Sequence, residues 1–144
     1  MSIFQDAILR FGRTIMSYAG DALFLQAAVS AAANVIVADG DVAEEEVEAA
    51  IVGIRANPIL EKSYDTLRVE QELYEAITRA KSRAGRIENL RAASAIAERP
   101  VEQRQDVFLI AADVADFGGI SAVEHTALDE IANALEVEKS ALLR

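Results

Sequence analysis

Cysteine is absent from the 144 residues. That excludes a disulfide framework, a thiolate zinc site and a cysteine nucleophile. Proline occurs twice and glycine seven times, leaving few places for the chain to break. Basic charge is short, with 14 Lys and Arg against 24 Asp and Glu and a formal net charge of −10. This argues against nucleic acid, whose phosphates need a positive footprint. It favours solubility and the binding of cations or basic partners. No Gly-rich phosphate loop occurs, and no segment alternates cleanly at period two, so no sheet is expected.

Other absences concern membranes. Acids and arginines interrupt every apolar run before Asp21, so no cleavable leader pattern is read. The most apolar stretch, residues 22–38, carries Gln26, Ser30 and Asn34 as a polar row at i, i+4 and i+8. It is also near the short limit for spanning a bilayer. We read it as a buried, alanine-rich core helix, with no direct membrane insertion.

What is present is helical pattern. The hydrophobic fraction is 52%, enough for a real core in one domain over residues 1–144. Phe4, Ile8, Phe11, Ile15 and Tyr18 form one stripe of an amphipathic helix ended by Gly20. Further helices are expected over residues 22–38, 42–56, 66–83, 86–98, 101–115 and 122–135, with a last turn or two in the tail. Asn57-Pro58 is expected to stop the third, and Pro100 to sit in the first turn of the sixth. Val47, Ala50, Ile51 and Ile54 share one side, as do Leu67, Leu73, Ile77 and Ala80, both expected inward.

The informative feature is an internal helix–loop–helix repeat. The first copy runs Ala38-Asp39-Gly40-Asp41-Val42-Ala43-Glu44-Glu45-Glu46. The second runs Ala115-Asp116-Phe117-Gly118-Gly119-Ile120-Ser121-Ala122-Val123-Glu124, with Phe117 as one extra residue. Asp39 then pairs with Asp116, Gly40 with Gly118 and Glu46 with Glu124. Much of this is explained by helix ends alone. Glycine stops helices, Ser121-x-x-Glu124 is a capping box, and Val42 with Val47 fits a hydrophobic staple around an N-cap at Ala43. Glu44, Glu45 and Glu46 suit a first turn, where the dipole welcomes negative charge.

Asp39 and Asp116 do not fit that account. Each lies at the C-terminal end of a helix, where a carboxylate costs about 0.3–1 kcal/mol when exposed. Asp113, one turn before Asp116, adds like-charge repulsion. A bound cation reverses this balance, since carboxylates and terminal carbonyls are both oxygen ligands for hard ions. The plainer alternative is a solvated acidic loop. An EF-hand is excluded, because counting from Asp39 puts Ala43 at position 5, Glu44 at 6 and Ala50 at 12.

These residues resemble the TerB tellurite-resistance family, whose Ala-Asp-Gly-x-(Val/Ile)-x-x-x-Glu signature occurs twice in an all-helical chain. The first copy matches it at residues 38–46. The second is similar through Glu124, Leu128, Ile131, Ala132 and Leu135, and the likeness covers residues 23–137. Phe117 departs from the pattern, and the second loop lacks an acid equivalent to Asp41. The resemblance implies an all-α, compact bundle of about seven helices built on two helix pairs related by a pseudo-two-fold. It also implies a cytoplasmic stress-response component, tied to tellurite resistance, that binds metal ions and works with a membrane-associated protein partner.

The candidate metal ligands are therefore Asp39, Asp41 and Glu46 in one set, and Asp113, Asp116 and Glu124 in the other. Calcium is the first choice of ion, because all the ligands are oxygen. The alternative is an acidic interaction domain docking a basic or membrane-associated partner without metal. An enzyme using paired carboxylates is the third reading, and no catalytic arrangement stands out to support it. The single histidine, His125, is read as an exposed helix residue. Arg79, Lys81, Arg83, Arg86 and Arg91 are read as a solvated basic helix face and turn, or else a docking flank. No oligomeric state is assigned.

Overall fold

A computed structural model of the chain describes residues 22–116 and 119–143. The described residues form an all-α bundle of eight helices, six of them substantial, with no strand. The described part of α1 covers residues 22–36. After it come α2 (Glu44–Ala56), α3 (Pro58–Ser63), α4 (Thr66–Ala80), α5 (Arg83–Ser94), α6 (Val101–Ala115), α7 (Ala122–Leu135) and α8 (Lys139–Leu142). Among the described residues no helix is long and apolar enough to cross a membrane. The N-terminal stripe from Phe4 to Tyr18 lies outside the described residues.

Helix α1 is the centre of the core. From Phe24 to Ile36 every residue except Gln26 is buried. Two members of its polar row, Gln26 and Asn34, tie α1 to the α4–α5 pair, while the Ser30 hydroxyl is buried without a hydrogen-bond partner. Gln26 Nε2 donates to Glu72 Oε2 at 2.6 Å. Asn34 Nδ2 donates to the Arg86 carbonyl at 3.1 Å. Asn89 Nδ2 donates to Asn34 Oδ1 at 3.0 Å and to the Ala76 carbonyl at 3.1 Å. Buried amides are tolerated because each finds such partners.

Several boundaries differ from expectation for physical reasons. The helix expected over 66–83 ends at Ala80, because Ser82 caps a new helix by accepting from the Gly85 N–H at 3.0 Å. Gly85 permits this corner, since a Cβ there would lie 1.7 Å from the Arg79 carbonyl oxygen. Asn57-Pro58 stops α2 and also starts α3, with the Asn57 side chain accepting from the N–H groups of Ile59 and Leu60. Pro100 is the N-cap of α6 rather than a residue of its first turn. Leu67, expected inward, is 61% exposed, and Val69 takes its place one turn before Leu73 in the buried stripe. Val42 is exposed while Val47 is buried, so the two do not close a buried staple.

Two pairings set the frame of the site. Gly53 of α2 packs on Ile110 of α6, and Asn57 Nδ2 donates to Asp106 Oδ2 at 3.3 Å. The residue numbers run in opposite senses, so α2 and α6 are antiparallel. Arg104, in the first turn of α6, donates to the carbonyls of Leu135 and Glu136 at the end of α7. Its cation supplies the C-terminal partner that α7 lacks in its own last turn. α6 and α7 are therefore antiparallel too. The starts of α2 and α7 both meet the C-terminal end of α6, and the α1–α2 connection joins them there.

Candidate functional site

The two repeated loops bring their glutamates to one end of the bundle. Glu46 and Glu124 occupy the same place, the third residue of α2 and of α7, counted from the N-caps Ala43 and Ser121. Both are buried, at 8% and 7% exposure, in a protein whose acids are mostly on the surface. Glu124 is balanced locally by its capping box. Its Oε1 accepts from the Ser121 N–H at 2.9 Å, and the Ser121 hydroxyl accepts from the Glu124 N–H at 3.3 Å.

Glu46 has no such device. Ala43 carries no side-chain acceptor, and α2 has no side-chain cap. Glu46 Oε2 is buried without a hydrogen-bond partner. Its pKa is raised from 4.5 to about 7, first by burial and then by the charges of Asp39, Glu124 and Glu45. Residues of both loops thus act on one carboxyl group. A buried anion without donors is strongly disfavoured, so this group holds a proton or a cation far more readily than an ordinary glutamate.

The loop before α2 is built around Asp39. Its Oδ1 accepts from the Asp41 N–H at 3.1 Å, which closes a local turn. Gly40 has φ +90, where a Cβ would be strained although nothing stands within 4 Å of it. The second loop places its positive φ of +94 at Gly119, while Phe117 and Gly118 lie outside the described residues.

The six acids expected to form the site do not all converge. Asp39, Glu46 and Glu124 come together electrostatically, joined by Glu45, whose place in the sequence marks it only as a first-turn acid. Asp41 is exposed and contributes its backbone N–H to the Asp39 turn. Asp116 caps the end of α6 through its backbone and is exposed. Asp113 is exposed and lines a shallow groove beside the C-terminal half of α2, with Asn57 and Asp106. Burial and the charge of Glu102 raise the pKa of Asp106 in that groove. Among the described residues no three acidic or imidazole side chains form a ready-made metal cage.

The remaining chemistry-bearing groups have structural duties or face solvent. His125 is exposed on α7. In the basic cluster, Arg79 Nε donates to Asn89 Oδ1 at 3.1 Å, and Arg86 Nη1 donates to the Ala80 carbonyl at 2.9 Å. Both help lock the α4–α5 corner. Arg83 is exposed and has no ion-pair partner among the described residues. No family model, curated protein or solved structure matches this chain.

Proposed function

We propose that this chain is a TerB-like divalent-cation-binding module of a cytoplasmic stress response, acting by binding rather than catalysis. In this reading α1–α2 and α6–α7 are two copies of one helix–loop–helix related by a pseudo-two-fold, and the ion belongs where their loops meet. The observation that carries it is the Glu46 carboxyl group, which has a buried oxygen without a partner and sits under the charges of Asp39, Glu124 and Glu45. A divalent ion supplies the positive charge that this cluster lacks.

The chemistry of the donors is oxygen throughout, which suits calcium before softer ions. Glu46 and Asp39 are the residues assigned to hold it, with Glu124 contributing through its field or its second oxygen. The described side chains are not a finished cage. Binding therefore has to draw the loops in, and part of the affinity is spent on that ordering. Weak, loop-ordering binding with a ligand-dependent rise in stability is the expected signature.

A second reading rests on a different observation. Asp39, Asp41, Glu44 and Glu45 are all exposed around the start of α2. They form a negative rim suited to a basic or membrane-associated protein partner without any metal.

Calorimetric titration with calcium, magnesium, manganese and zinc separates the two. The expected result is calcium binding and a raised Tm, both lost in Asp39→Ala/Glu46→Gln. Absence of heat and of any thermal shift with all four ions rejects the cation reading, as does equal binding by the double variant.

A further inference from the structure

A second surface lies just outside the acidic loops and carries the opposite charge. A groove of about 520 Å³ runs between α5 and α7. On one wall are Arg83, Arg86, Ile87 and Leu90, spaced i, i+3, i+4 and i+7, a single face of α5. On the other are Val123 and Ala127, one turn apart on α7. Ile87 is 46% exposed and Val123 49% exposed, which is unusual for branched apolar residues facing each other across a cleft. The floor is firm, because Asn34 is buried beneath it and bonded to both Arg86 and Asn89.

Two helical ridges with a largely apolar cleft between them are a receiving geometry for a third helix. The charge decides what kind of helix. The chain carries −10 overall, yet this rim presents two guanidinium groups. The first turn of α5 holds no acid, so its free N–H groups and dipole reinforce that positive potential. Arg86 is partly engaged with the Ala80 carbonyl, while Arg83 is exposed and available. Glu130 is the one carboxylate on the lining.

From this complementarity we infer that the α5–α7 groove docks an acidic amphipathic helix of a partner protein. The apolar stripe of that helix lies on Ile87, Leu90 and Val123, and its carboxylates meet Arg83 and Arg86. The inference does not rest on the cation reading, since none of these residues belongs to the acidic cluster.

Two synthetic helical peptides test it, each with leucines at i, i+3, i+4 and i+7, one with glutamates and one with lysines on its polar face. Binding is followed by fluorescence anisotropy and by backbone amide shifts of the full chain. The glutamate peptide is expected to bind at least tenfold more tightly than the lysine peptide and to shift Ile87, Leu90 and Val123. Arg83→Glu and Val123→Asp, both at exposed positions, are each expected to weaken it at least fivefold without changing Tm. Equal binding of the two peptides, no binding of either, or shifts confined to other faces overturns the inference. So does sedimentation showing that a second copy of the chain fills the groove, or retention of binding in both variants. Binding of anionic vesicles that competes with the peptide and leaves its tenfold charge preference intact supports the same surface. Vesicle binding with no peptide binding overturns the choice of a protein helix.

Discussion

The starts of α2 and α7 are near copies of one another, and they solve the same problem in different ways. Each buries a glutamate at the third position of its helix against the end of α6. In α7, Ser121 stands at the N-cap, and serine and glutamate satisfy each other's backbone N–H groups. In α2, alanine stands there and offers no side-chain acceptor, and the Glu46 carboxyl makes no return bond to the Ala43 N–H, so its Oε2 stays buried without a donor. One helix start is thus mechanically complete and the other electrostatically incomplete. Sites that do something besides hold the fold together are found where a local rule is broken in this way. The incomplete copy is also the one flanked by the richer set of acids, Asp39, Asp41, Glu44 and Glu45.

The contrast is open to direct attack, beginning with its largest consequence. The folded pKa of Glu46 is about 7 against its ordinary 4.5, so the folded state binds the proton more tightly than the unfolded state. The stability this group contributes is full below the unfolded value and is lost as pH rises through the folded value. The loss is about 2–3 kcal/mol. In urea unfolding without divalent ions, the native chain is expected to weaken between pH 5 and pH 8, and Glu46→Gln to stay level and exceed it at pH 8. If both show the same slope, Glu46 is not the strained member of the pair.

Removing the satisfied glutamate is expected to act in the opposite direction. Glu124→Ala leaves the Ser121 N–H without its partner and lowers stability by about 1–2 kcal/mol at pH 7, read from the urea midpoint. Glu124→Gln, which can still close the box, is expected to recover most of that. A finer change turns one copy into the other. Ala43→Ser offers α2 the cap that α7 already has and raises stability by about 0.5–1 kcal/mol, while Ser121→Ala lowers it by about 1 kcal/mol. Urea midpoints of the two variants check both values, and no change in either means that the N-cap side chain is not a source of difference between the two helix starts.

Much of this architecture was legible in the sequence, and what was not has identifiable causes. Long apolar periodicities placed α2, α6 and α7 within a residue or two, because amphipathic stripes and caps agree there. The 66–98 region was misdivided because the corner at Ser82 and Gly85 depends on one side-chain cap and one close backbone approach, neither of which alters the apolar period. Leu67 was misplaced because a leucine next to a helix start satisfies the pattern from either face. In the site, the pairing of Glu46 with Glu124 followed from the repeat. The separation of Asp113 from the cluster did not, since two carboxylates one helical turn apart can still look toward different neighbours. The orphaned oxygen of Glu46 was not readable, because the backbone N–H that answers such a glutamate is offered by alanine and serine alike.

Ten consecutive residues of α1, 27–36, are buried, so the helix is enclosed on every side, and five of them are alanine. Such a strut belongs to one continuous core, which also includes buried residues of α2, α4, α6 and α7. Unfolding of this chain should therefore be all-or-none, with the amide protons of α1 exchanging only when the entire bundle opens.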